Sequence, residues 1–160
     1  LAAGIGLAYL NSNFIPYEKT FFAGGANDLR AFQPRTIGPG GYQSDNYIEQ
    51  LGDIKINANM EYRIDIYKLL EGAVFLDVGN VWLKNNYNEL PGSQFQFKNF
   101  VSELGVGTGL GLRFDFKFFI FRIDGGIPVR NPTRDPDERW VLDELRWNNV
   151  NYNFGIGYPF

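Results

Sequence analysis

A chain of 160 residues with a net charge of −3 is long enough for one domain, and its acidic balance argues against a nucleic-acid partner. It has no His and no Cys, which removes Ser–His and Cys–His nucleophile pairs, histidine-bound metals and disulfides together. Aromatic residues make up 17% and glycines number 19, a balance suited to sheets, while no apolar run reaches the ~18 residues of a membrane helix. Strands that cross a membrane stay open, because their alternation averages to a mildly polar sequence. The chain starts at Leu1 with neither an initiator Met nor a signal peptide, so a mature segment of a longer protein is expected.

The first strand expected, over 1–10, is weakly patterned and its register is open. From 53 to 64 the odd positions are Asp53, Lys55, Asn57, Asn59, Glu61 and Arg63, and the even ones Ile54, Ile56, Ala58, Met60, Tyr62 and Ile64. Side chains alternate across a strand, so this is a two-faced wall. From 73 to 82, Val74, Leu76 and Val78 point outward, with Ala73, Phe75, Asp77 and Gly79 inward. The segment 103–116 sets Leu104, Val106, Leu110, Leu112, Phe114 and Phe116 against Glu103, a glycine row (Gly105, Gly107, Gly109, Gly111), Arg113 and Asp115. From 119 to 127, Phe119, Phe121, Ile123 and Ile127 oppose Arg122, Asp124 and Gly126. The segment 151–160 puts Tyr152, Phe154, Ile156, Tyr158 and Phe160 opposite Asn151, Asn153, Gly155, Gly157 and Pro159.

The connections alternate between short (64–73, 116–119) and long (11–52, 83–100, 128–150), the habit of outer-membrane barrels with turns at one rim and loops at the other. Each strand is about ten residues, enough to cross the hydrocarbon layer when tilted. Tyr62, Tyr67, Trp82, Phe116, Phe118, Tyr152 and Tyr158 near the strand ends are expected in interface girdles. A soluble sandwich would alternate too, but would leave fewer large aromatics on a uniformly apolar face opposite an acidic, glycine-lined one. The fold class is therefore all-β, a transmembrane antiparallel β-barrel. The six strands are fewer than the roughly eight needed to close a barrel, and open edges in lipid leave amides unpaired. Residues 1–160 are accordingly expected to be the C-terminal portion of a larger barrel.

Within the first long loop stands Phe21-Phe-Ala-Gly-Gly-Ala-Asn-Asp-Leu-Arg30-Ala-Phe32. With Gly24, Gly25, Leu29, Arg30 and Phe32 it resembles the sixth extracellular loop of the BamA/TamA outer-membrane assembly family, the bacterial surface antigen superfamily. There a Gly-Gly-x-x-x-φ-Arg-Gly-Phe pattern carries an arginine folded back into the lumen. Ala31 stands where the family has glycine, a departure expected to loosen the loop tip. Ala58-Asn-Met-Glu61-Tyr and Phe75-Leu-Asp77-Val-Gly79-Asn-Val-Trp82 resemble the strands with the family's inward glutamate and aspartate. Asn153, Gly155, Tyr158 and Phe160 fit the terminal signal read by the assembly machinery.

The residues support the same arrangement. Two carboxylates facing a confined lumen repel unless a cation lies between them. Arg30 suits that place, because its planar five-donor fork serves both Glu61 and Asp77 where a lysine point charge would not. The glycines beside it suit tight backbone packing rather than a free loop. The glycine row at 105–111 lacks the lysine of a phosphate loop and reads as smooth wall against which a loop packs. Asp135, Asp137, Glu138, Asp143 and Glu144 lack calcium-loop spacing and read as a solvated acidic loop, with a short helix over Asp137–Leu145 capped by Asp135. Arg35, Arg63, Arg113 and Arg122 line the lumen or face lipid headgroups, and the sequence leaves both open.

No catalysis, cofactor or metal is expected. The resemblance implies an outer-membrane assembly or translocation factor, preceded by periplasmic POTRA modules, with a seam between first and last strands. Gly155, Gly157 and Pro159, which has no N–H to donate, would weaken pairing there. The wording of the loop and terminus is closer to the TamA-like branch. The expected location is the bacterial outer membrane, and the expected partners are its lipids, substrate outer-membrane or secreted proteins, and periplasmic accessory proteins. The alternative is a two-partner-secretion-type polypeptide transporter or the anchor barrel of a fused passenger. A purely structural or adhesive barrel would tolerate loss of Arg30.

Overall fold

The computed structural model describes residues 1–8, 15–43, 50–144 and 146–157. The alternating segments form one antiparallel sheet in chain order: β1 (Ala2–Ile5), β2 (Ile54–Tyr67), β3 (Leu70–Trp82), β4 (Gly105–Asp115), β5 (Ile120–Arg130) and β6 (Asn151–Ile156). Every neighbouring pair is antiparallel, and β1 and β6 are the edges of the sheet. The tight turns use left-handed backbone: Lys68 (φ 26) joins β2 to β3, and Lys117 (φ 71) joins β4 to β5. Lys117 is held by its own N–H, which donates to the Asp115 carboxylate at 2.7 Å.

One face of the sheet is apolar and uncovered, with Met60, Tyr62, Leu110, Phe154 and Ile156 all well exposed. A face of this kind, continuous over several strands, suits lipid rather than water. The other face is covered by residues 21–37, from the segment between β1 and β2. The apolar core lies under that segment: Ala23, Leu29, Ala31, Phe32 and Ile37 cluster with Val81 of β3, and Phe21 packs against them.

Several expectations need correction. Trp82 is fully buried rather than in a girdle, donating its indole N–H to Glu103 at 2.7 Å with Phe95 edge-on to the ring. The reason is that β3–β4 pairing stops at Gly79↔Gly105, and beyond it loops close over both faces of β3. Glu103 accordingly sits in a 3-10 turn, Phe100–Glu103, and not on the strand. Strand β5 runs past Pro128, because a bulge shifts the register so that Gly107 faces Pro128 and Val106 faces Arg130. The acidic segment forms separate 3-10 turns, Pro136–Glu138 and Leu142–Glu144, in place of one helix. Asp135 makes no side-chain cap; its carboxylate accepts from Gln43 instead.

Candidate functional site

The loop tip is folded by its own backbone. Gly24 (φ +97) and Gly25 (φ +99) are left-handed, and a Cβ on Gly24 would run into the carbonyl of Gln33, so both positions require glycine. Gly25 donates to Phe32 O at 2.9 Å, Asp28 to Gly25 O at 3.0 Å, and Phe32 to Leu29 O at 3.0 Å. The Asp28 carboxylate accepts from Gly24 N–H (2.9 Å), Lys55 Nζ (3.0 Å) and Asn57 Nδ2 (2.9 Å). Burial nevertheless outweighs these partners and pushes the Asp28 carboxyl above its usual range.

This fold presents Arg30 to the wall. Its Nε and Nη2 donate to the Asp77 carboxylate oxygens at 2.9 Å each, and its backbone N–H donates to Asp77 at 3.0 Å. Its Nη1 donates to Glu61 at 2.5 Å, and the guanidinium carbon lies 3.6 Å from the centroid of Phe75. Glu61 is also held by Arg113 (2.8 Å) and Arg63 (2.7 Å). Arg113 reaches on to Asp124 at 2.7 Å, and Asp124 pairs with Arg122 at 3.0 Å. Arg30, Glu61, Asp77, Arg113 and Asp124 are all nearly or fully withdrawn from solvent. Asn59 completes Asp77, donating at 3.0 Å.

The wall accommodates this through small residues. A Cβ on Gly107 would collide with that of Ala31, and one on Gly126 would lie 2.8 Å from Arg30 O. Ala31, which stands where the resembled pattern has glycine, is buried against Gly107. Asn153 donates to Arg30 O at 2.8 Å, and Gly155 leaves room for the Arg122 guanidinium. Tyr158 and Phe160 lie outside the described residues.

Sequence reasoning set Arg113, Arg122 and Asp124 on the polar walls of their strands, left open whether the arginines face the lumen or lipid headgroups, and did not join them to the cluster. It left out Asp28, Asn57, Asn151 and the pairing of Asn59 with Asp77. The signal available was that Asn57, Asn59 and Asn151 stand on the polar faces of their strands, whereas Asp28 lies in the loop, where no such parity applies. Of the arginines left open, Arg63, Arg113 and Arg122 belong to the inner face, while Arg35 lies on the loop, 5.1 Å from the Phe22 ring centroid. Among the described residues no group of three or more acidic side chains is disposed to hold a metal ion.

This arrangement is a docking site for a loop, built from a saturated carboxylate and a shared guanidinium. A sequence model of the Omp85 superfamily domain matches residues 1–160, the whole chain. The chain therefore belongs to the Omp85 superfamily, non-enzymatic outer-membrane proteins of bacteria that insert or translocate other proteins.

Proposed function

We propose that this chain is the C-terminal barrel region of an assembly factor of the BamA/TamA type, one that inserts β-barrel or surface proteins into the outer membrane. The observation that carries the reading is Arg30 engaging Asp77 and Glu61 on neighbouring strands while Ala23, Leu29, Ala31, Phe32 and Ile37 of its loop pack with Val81 of the wall. A purely structural or adhesive barrel would keep cargo assembly when Arg30 is lost. In this reading the docked loop fixes the inner surface on which substrate proteins are handled, with lipids outside and periplasmic accessory proteins below. Gly24, Gly25, Leu29 and Phe32 shape the loop, and Asn153, Gly155, Tyr158 and Phe160 mark the terminal strand for assembly.

The test is Arg30→Ala in the full-length protein, followed by heat-modifiability on gels and by the levels of barrel proteins in the outer membrane. Loss of both supports the assembly reading. A selective loss of one secreted passenger, with barrel proteins intact, favours a two-partner-secretion-type transporter. Normal gels and normal levels of every substrate would sink the proposal.

A further inference from the structure

The inner face of β6 is given over to the loop, and this goes beyond the assembly reading. Asn151 and Asn153 both donate their Nδ2 to the single carbonyl oxygen of Arg30, at 2.9 and 2.8 Å. A carbonyl oxygen offers two lone pairs, so the pair of amides occupies both. The approach is possible because Asn151 pairs in register with Gly126, where a side chain would meet Arg30 O. The next inward position, Gly155, is the seat of Arg122: a Cβ there would lie 2.6 Å from its Nε and 3.0 Å from its Cζ. Arg122 in turn donates Nη1 to Ala26 O at 2.9 Å and Nη2 to Asn27 Oδ1. Successive inward positions of β6 thus serve the loop tip directly or through one arginine. The only strand paired with β6 among the described residues is β5.

We infer that Asn151 and Asn153 are positioning residues that latch the loop tip to the edge strand β6, so that displacing either one loosens the other. If β6 leaves β5, the Arg30 carbonyl loses both donors. If the loop lifts, the two asparagines lose their shared acceptor. Such coupling is reciprocal, because both moves draw on the same contacts. The latch acts in the folded protein, unlike a terminal signal made of Asn153 and Gly155, which acts before folding.

The experiment is amide hydrogen exchange on the full-length protein in nanodiscs, which reads the latch without reference to substrate. Loss of two hydrogen bonds to one carbonyl corresponds to about a tenfold rise in opening. In the N151A/N153A variant the amides of Gly25, Asp28 and Phe32 should exchange about tenfold faster, with the β2–β3 ladder unchanged. Conversely, Asn27→Ala should speed exchange along β6. Phe154→Leu, on the exposed face of the same strand, should change neither. Unchanged loop exchange in N151A/N153A overturns the latch, as does an equal rise across the β2–β3 ladder. If the double variant does not accumulate, Asn151→Ala alone is read the same way, and a loop indistinguishable from wild type again overturns it.

Discussion

Arg30→Lys keeps the charge and removes the fork, so it asks whether geometry or charge holds the loop. The Arg30 side chain donates charge-assisted hydrogen bonds from Nε and Nη2 to Asp77 and from Nη1 to Glu61, three among the described residues. A lysine ammonium occupies one point and replaces about one of them. Bonds to charged groups contribute roughly 1.5–3 kcal/mol each, so losing two costs about 3–6 kcal/mol. The lower end is expected. Glu61 retains Arg113 and Arg63, and the backbone N–H of residue 30 still reaches Asp77. A loss of about 3 kcal/mol is more than a hundredfold shift toward the undocked loop. Protease nicking of the loop in outer-membrane vesicles measures that shift directly, with heat-modifiability reporting whether the barrel itself survives. An Arg30→Lys protein whose loop resists protease as well as wild type would refute the reasoning, since a point charge would then suffice.

Gly107→Ala should destabilise the protein by about 1–3 kcal/mol, because the new Cβ runs into Ala31 and overpacks the loop interface. Adding Ala31→Gly should restore most of the loss, since the remaining neighbours stand 3.6 Å away at Ile127 O and at the Cα of residue 31. Unfolding midpoints of both singles and the double form the cycle. Burial pushes the Glu103 carboxyl above its ordinary 4.5, against the Trp82 hydrogen bond and the Arg139 charge. The folded state therefore binds that proton more tightly than the unfolded one. Its contribution to stability should grow as pH falls through the raised value and be complete below 4.5. Glu103→Gln should remove that part of the slope, seen as denaturation midpoints compared between neutral and mildly acidic buffer.

The all-β class was legible because period-two alternation survives in every long strand. Alternation also puts Glu61, Asp77, Arg113, Arg122 and Asp124 on one face. It does not say which cation meets which carboxylate, since a slip by two residues keeps every face and changes every pair. In the actual register Asp77 lies opposite Asn59, and Glu61 opposite Phe75. The partners of Glu61 therefore come from the loop, from its own strand and from β4, two strands away. Trp82 and Glu103 went astray for a different reason. Parity assigns a side chain to lipid or interior only while the two faces of the strand differ, and beyond Gly79 both faces of β3 are interior. The strand expected to end at 127 continues, because a bulge absorbs Pro128, which has no N–H to donate.

A buried loop is costly because its carbonyls and N–H groups face a wall without being part of its ladder. Here the wall supplies the missing partners from side chains. Lys55 reaches Phe22 O at 2.8 Å, Arg122 reaches Ala26 O at 2.9 Å, and Asn59 reaches Asp28 O at 2.6 Å. Asn151 and Asn153 take Arg30 O, and Asp77 accepts the Arg30 N–H. The carbonyls met are those of residues 22, 26, 28 and 30, so the turns of the tip present four of its carbonyls to the wall. Its donors are amides and cations in place of backbone N–H groups. Such an interface has one register. The apolar contact of Leu29, Phe32 and Ile37 with Val81 would tolerate sliding, whereas shifting the tip by one residue would part its carbonyls from the side chains that meet them. The asparagines and the glycines that let the backbone approach are thus as much part of the site as Arg30.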